Sequence, residues 1–340
     1  EPMNAVAWLH DGQLDVWAGL QNPTAARDQA AQLAGLDASQ VHVHTTLMGG
    51  GFGRRLESDF VVQAVHLAKA MEGHPVKLTW RREEDMTQDF YRPAAVARVR
   101  GLAAAKQVHA LDVRVASLSV AESNQGRLGL PALGPDPKII EGAYDQPYGI
   151  ANYRATAFRT PAGRPVTYTR SVGNSYNGFF IESFIDELAA QEGVDPLKLR
   201  LDLLTHEPSR QVLSAVAAMS GWGQPLAAGR GRGLAFHLCR GVPVAQVMEI
   251  TVTPQGVKID QVFVGSCTGG KSRDIEAVAK ALAGKKVASG TRLVVTMATR
   301  ETVRQAIRKG HYQILLDAGA SITSPGCGAC SGLLGGIVPA

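Results

Sequence analysis

What this 340-residue chain lacks narrows its possibilities first. Cysteine occurs only four times. That is too few for a disulfide framework and fits a reducing, cytoplasmic compartment. No run of about 18 apolar residues exists, so no membrane span is expected. The formal net charge is only +5, and the basic residues are dispersed along the chain, which does not suggest a nucleic-acid partner. The first residues, EPMNAVAWLHDG, lack both the basic and the apolar part of a secretory leader. They also lack an initiator Met and start in mid-pattern, so a fragment is expected. No internal repeat is visible.

What is present is a soluble-type composition, 45% hydrophobic, and enough length for two ordinary domains. The most informative stretch is QVFVGSCTGGKS, residues 261–272. It fits a phosphate loop, G-x-x-x-x-G-K-[ST], from Gly265 through Gly270, Lys271 and Ser272. Strand-like Val262–Val264 precedes it and helix-like Arg273–Leu282 follows. A nucleotide site would also want an Asp closing another apolar strand, but Leu293–Val295 ends in Thr296. The same stretch contains Cys267, and a C-x-x-C follows at Cys327 and Cys330. Three thiolates, one from a strand-to-helix turn and two from a Gly-rich loop, suit a cubane cluster with one iron left open, unlike a closed zinc site. The alternative, three ordinary buried thiols, is weaker because all three fall in Gly-rich turns.

The words VKIDQVFVGSCTGGK, TRLVVTMATRETVRQA and GASITSPGCGACSG resemble the aconitase superfamily, in particular the large subunits of 3-isopropylmalate dehydratase and homoaconitase. The resemblance covers about residues 257–340. It implies a [4Fe-4S] cluster held by Cys267, Cys327 and Cys330, whose open iron activates a hydroxy acid for dehydration. It also implies a small swivelling-domain partner subunit, and it moves the nucleotide reading into second place.

Further upstream, Leu14–Ala18 reads as a strand, and Asn22-Pro23 opens a helix towards Leu33. Val41–Leu47 alternates as a strand with His42 and His44 on one side. Those histidines could bind metal, but no Cys or acid neighbours them in sequence, and the wet face of a strand is the stronger reading. Gly49, Gly50, Gly51, Phe52 and Gly53 then join this strand to a helix over Ser58–Met71. So bare a backbone lets N–H groups approach an anionic or heteroatom-rich ligand. The bland alternative is a tight turn. Val76–Trp80 reads as a strand, and the charge run Arg81–Met86 as a solvated turn. Val96–Arg100 and Leu111–Val120 read as strands, and Glu122–Lys138 as a Gly/Pro loop. Asn177–Glu192 has helical spacing, Asp195-Pro196 caps the next helix, and Gln211–Met219 is a third. Strands follow around Leu234 and over Val244–Val252.

GGGFGRR at 49–55, QNP at 21–23, RREEDM at 81–86, RSVG at 170–173 and FIESFIDELA at 180–189 together resemble the molybdenum-binding subunit of the xanthine dehydrogenase/aldehyde oxidase family, of the isoquinoline 1-oxidoreductase type. That resemblance covers roughly residues 1–255. It implies a molybdopterin, often in its cytosine dinucleotide form. Gln21 would lie near the metal's oxo group, Gly49–Gly53 against the cofactor and Arg170 beside it. The implied reaction hydroxylates an N-heterocycle or aldehyde with oxygen from water. The implied partners are a small-molecule substrate and a small [2Fe-2S] electron-transfer subunit.

Both likenesses are partial. The Gly-rich loop bearing the family's general base has no match here, and no catalytic residue carries over in either part. Leu56 stands where some relatives have a substrate-contacting Glu, with Glu57 as its shifted neighbour. The expectation is an α+β mixed-sheet molybdopterin-binding part (1–255) followed by a small α/β aconitase-like unit (256–340). In the second, the order strand, helix, strand, helix, cysteine loop is predicted. The two parts read as enzyme fragments joined within GVKIDQVFVG, rather than as a native bifunctional enzyme.

Overall fold

The computed structural model describes residues 2–131, 134–161, 163–252, 259–265 and 269–325. Contacts divide the chain into two units. One comprises Met3–Thr79 and Asp89–Val252. The other comprises Thr253–Ala340 together with Trp80–Gln88 and Pro2.

The first unit begins with a hairpin of β1 (Asn4–His10) and β2 (Gln13–Ala18). Asp11 and Gly12 both take positive φ, 48° and 73°, as a two-residue hairpin turn requires. In α1 (Pro23–Ala34), the Asn22 side chain accepts the Ala25 N–H and Pro23 occupies the first turn. The parallel strand β3 (Val41–Thr45) stops two residues short of expectation, and Leu47 is fully exposed. Helix α2 (Asp59–Ala70) leads to β4 (Val76–Thr79), which pairs antiparallel with β1. The sheet order is β3-β2-β1-β4. Its inner face buries Ala5, Ala7, Leu14 and Val16, and α2 contributes Phe60, Val61, Ala64 and Val65 to the core.

The run Arg81–Met86, expected as a solvated turn, is instead largely helical. It lies in α3 (Arg82–Gln88), where Asp85 is buried, and its acidic first turn suits a helix start. The next sheet contains β5 (Ala95–Ala104) and β6 (Gln107–Ser117), longer and earlier than expected. The first six residues of the predicted 122–138 loop are also helical, in α4 (Val120–Arg127). Ser119 accepts the Glu122 N–H at 3.0 Å, and this cap outweighs the helix-weakening Gly126. The third strand, β7 (Asn152–Arg159), was not expected. It pairs parallel with β6, giving the order β5-β6-β7.

Helix α5 (Asn174–Glu192) starts three residues before its predicted start, followed by α6 (Pro196–Leu203) and α7 (Glu207–Met219). The ribbon of β8 (Arg230–Cys239) and β9 (Val242–Thr251) completes the unit. Leu111, Val113, Ile181, Ile185, Leu199 and Phe236 meet in the main core. Along β9, Val242, Val244, Met248 and Ile250 form an exposed apolar ridge.

Besides α3, the second unit contains β10 (Gln261–Val264), α8 (Ser272–Leu282), β11 (Arg292–Thr296), α9 (Arg300–Arg308), α10 (His311–Asp317) and β12 (Ser321–Thr323). The predicted order holds as far as α9. A further helix and a three-residue strand then precede the cysteine loop, the strand being too short for a periodic signal. All three strands are parallel, with β11 central. Ile275, Val295, Met297 and Leu315 form the core of this unit. Among the described residues, no helix is long and apolar enough to cross a membrane.

Candidate functional site

The stretches singled out in the first unit converge. Gln21 follows β2 closely and donates its backbone N–H to the Arg55 carbonyl at 2.8 Å. Its Oε1 accepts the Gly53 N–H at 2.9 Å. The side chain lies against Gly51, where an added Cβ would come within 2.3 Å of that Oε1. Gly53 is equally constrained. Its φ is +88°, and a Cβ there would lie 1.6 Å from the Tyr168 carbonyl oxygen. Gly50, at φ +99°, lies beneath the Phe52 ring. Phe52 itself has φ 53° and remains exposed, as does Gly49. The Phe52 carbonyl accepts the Arg170 N–H at 2.8 Å, which closes the group. Thus Gln21, the 49–53 loop and the backbone of Arg170 form one hydrogen-bonded cradle. Among the described residues, the Gln21 amide nitrogen and the Arg170 guanidinium have no partner.

A second layer holds this cradle. Arg54 grips both oxygens of Asp59 (2.8 and 2.9 Å) and one of Asp89 (2.5 Å). Burial lowers the Arg54 pKa, but the two carboxylates outweigh it and leave the group above its ordinary value. Arg55 is buried and donates to the Gly19 carbonyl at 2.9 Å. Arg92 donates to the Arg170 carbonyl and to the Ser175 hydroxyl. Next to them Ser171 and Val172 take positive φ, 69° and 45°, which is strained for a β-branched residue.

Glu57, the neighbour of the position expected to contact substrate, is instead buried in an ion knot. It accepts from Asn124 Nδ2 (3.0 Å), Arg127 Nε (3.0 Å), Arg127 Nη2 and Thr167 Oγ1 (2.7 Å). Arg127 also donates to the Val166 carbonyl at 3.0 Å and stacks on Phe90. Burial opposes ionisation of Glu57, yet its donors together hold the pKa below the ordinary carboxylate value. The knot ties the end of the Gly-rich loop to the segment leading to Arg170. Sequence reasoning missed it, and no local signal could have found it, since its partners lie up to 110 residues apart.

His42 and His44 share the outer face of the first sheet, as expected. An acidic partner does exist there. Asp15 accepts or shares protons with His44 Nε2 (2.6 Å) and His10 Nε2 (3.0 Å). Burial opposes ionisation of Asp15, but the hydrogen bonds from His44 and then His10 hold its pKa below the ordinary value, and Asp15 in turn raises that of His10, so this reads as a surface polar cluster. Among the described residues, no group of three His, Cys, Asp or Glu is placed to hold a metal ion.

In the second unit, Cys267, Cys327 and Cys330 lie outside the described residues. The strands that precede them, β10 and β12, flank β11 in parallel and therefore have their carboxyl ends at the same end of the sheet. Gly265 sits tightly there, since a Cβ would lie 2.8 Å from the Thr296 carbonyl. Neither β11 nor β12 closes on an Asp, so among the described residues the nucleotide reading gains no acidic partner.

Comparison with known proteins finds two separate matches. Residues 1–203 match the molybdopterin cofactor-binding domain, and residues 243–339 match the aconitase family (aconitate hydratase). The beta subunit of isoquinoline 1-oxidoreductase from Brevundimonas diminuta is 32% identical over 262 residues, covering 74% of this chain and 33% of that protein. The large subunit of 3-isopropylmalate dehydratase from a Nitratiruptor species is 43% identical over 98 residues, covering 29% of this chain and 22% of that protein. The chain therefore spans a third or less of these relatives. Quinoline 2-oxidoreductase from Pseudomonas putida 86 shares the fold with TM-score 0.56 and 19% identity, over 70% of this chain and 33% of that one.

Proposed function

Through residues 1–203 the chain belongs to the molybdopterin cofactor-binding domain family, and from that premise we propose that its first unit holds a molybdopterin at the cradle of Gln21, Gly49–Gly53 and Arg170. One observation carries this reading. Three segments distant in sequence are closed by hydrogen bonds around glycines that leave no room for a Cβ, while among the described residues the Gln21 amide nitrogen and the Arg170 guanidinium have no partner and can donate. The donor set fits a pterin–phosphate ligand rich in acceptor atoms. Bound there, the group would supply oxygen transfer and a sink for two electrons, as in hydroxylation of an N-heterocycle or aldehyde with oxygen from water. Gln21 would orient a donor towards the metal's oxygen ligand. Gly49–Gly53 would allow close backbone approach, and Arg170 would neutralise anionic charge. A cytosine-dinucleotide form and a [2Fe-2S] partner subunit belong to this proposal.

Acid release and oxidation of the purified chain should yield fluorescent pterin together with molybdenum. Gln21→Ala should retain the fold with less pterin. A chain that carries no pterin when produced in a molybdopterin-synthesising host would overturn the reading.

The second unit supports a second reading. The aconitase family is matched over residues 243–339, and both described strands preceding the cysteine stretches have their carboxyl ends at the same end of the sheet. Cys267, Cys327 and Cys330 would then hold a [4Fe-4S] cluster of hydro-lyase type, with a small swivelling-domain partner. Anaerobic purification should give a broad visible absorption band that Cys327→Ser removes. An unchanged spectrum in that variant would count against it.

A further inference from the structure

Four of the basic residues that look dispersed in sequence are gathered by strand register on one sheet face. In β5-β6-β7, one face packs Val99, Val113, Ala155 and their neighbours into the main core. The opposite face carries Arg98 and Arg100 on β5, Asp112 and Arg114 on β6, and Arg154 on β7. The register sets Arg98 directly opposite Arg114, Arg100 opposite Asp112, and Asp112 opposite Arg154. Four guanidiniums thus surround one carboxylate.

That carboxylate is already committed. Asp112 accepts from Arg154 Nε at 2.7 Å and from Arg114 Nε at 3.0 Å. The Arg154 hydrogen bond is the main reason its pKa falls to about 2, so it stays ionised under ordinary conditions. Arg98 and Arg100 are exposed and have no carboxylate partner among the described residues. Like charges directly across an antiparallel pair are destabilising, and Asp112 meets only the Arg114 side of the Arg98–Arg114 juxtaposition. Val96, Leu102 and Phe158, all substantially exposed, border the charged group, and an open hollow of about 590 Å³ lies beside it, lined by Arg100, Leu102, Asn152 and Arg154.

We propose that this Arg98–Arg100–Arg114–Arg154 face is a docking surface for an acidic protein partner that presents carboxylates to the free guanidiniums. Its charge is complementary to such a surface, and arginine forks pair carboxylates bidentately. The open sheet face with an apolar border favours a protein over a small anion, which would need a more enclosed set of donors. This proposal does not depend on the cofactor reading.

The test measures binding of a fluorescein-labelled oligoglutamate to the full chain by anisotropy at low salt, with duplex DNA as a competing probe. The double charge reversal Arg98→Glu/Arg100→Glu should weaken oligoglutamate binding about tenfold or more. A matched reversal elsewhere, Lys69→Glu/Lys77→Glu, should change it less than about threefold. Asp112→Asn, which frees two further guanidiniums, should tighten it. If the reversal does not fold, Arg98→Gln/Arg100→Gln should show the same direction. Absence of oligoglutamate binding, equal weakening by the two reversals, or preferential binding of DNA through Arg98 and Arg100 would each overturn the proposal.

Discussion

Two buried glutamates of the first unit, each paired with an arginine, answer burial in opposite ways. Glu57 lies under the cradle and Glu182 in the main core. Glu182 accepts from Tyr148 Oη (2.5 Å), Arg200 Nε (2.9 Å) and the Phe236 N–H (2.7 Å), and Arg200 also reaches Asp186 at 2.6 Å. Burial is the largest single influence on both carboxyls. At Glu182 it prevails, and the pKa lies above the ordinary value. At Glu57 the forked hold of Arg127, with Thr167 and Asn124, prevails instead. The side chain of Arg200 is wholly buried, whereas that of Arg127 is about a quarter exposed. The lesson is that an ion pair's local chemistry does not set the sign. The balance between burial of the carboxyl and the donors gathered on it does.

The largest expected effect breaks the core pair. Arg200→Met leaves Glu182 buried without its cation and should cost about 3–5 kcal/mol, read from denaturant unfolding. Gly53→Ala should be milder globally, on the order of 1–3 kcal/mol, because the strain is local. Its Cβ cannot coexist with the Tyr168 carbonyl, so the pterin content should fall much further than the melting temperature. Equal losses in both would show that the cradle is merely structural.

The smallest effect sharpens the contrast through pH. Glu57, lowered from 4.5, contributes stability that is present above its unfolded value and lost as pH falls through its folded one. Glu182, raised from 4.5, does the reverse. Its contribution is complete below the unfolded value and is lost as pH rises through the folded one. The stability difference between the wild type and Glu57→Gln should therefore shrink on acidification below about pH 4.5. That between the wild type and Glu182→Gln should turn against the wild type as pH rises. Parallel slopes in the two pairs of unfolding curves would erase the distinction.

The sequence disclosed what is encoded locally. Asn22-Pro23 and Asp195-Pro196 announce their helices because a cap acts within one turn. The glycines at 49–53 announce a backbone that something approaches closely. Arg127 and Thr167 could not be connected to Glu57, because separations of 70 and 110 residues leave no periodic trace. Strand register hid the convergence of Arg98, Arg100, Arg114 and Arg154 for the same reason. The run at 81–86 misleads because its charges suggest solvation before they suggest the start of a helix. The cradle was visible through its words, and its support only through the fold.

The ridge along β9 decides how this protein behaves at the bench. Val242, Val244, Met248 and Ile250 stand in water on a ribbon that is two strands wide. Such a surface adheres to plastic and to itself, more so as salt is raised, so stocks should lose soluble protein fastest in high sulfate. Met248, at 68% exposure, gives the ridge a clock. Peroxide converts its thioether to a polar sulfoxide, and an aged preparation should elute earlier from a hydrophobic-interaction column than a fresh one.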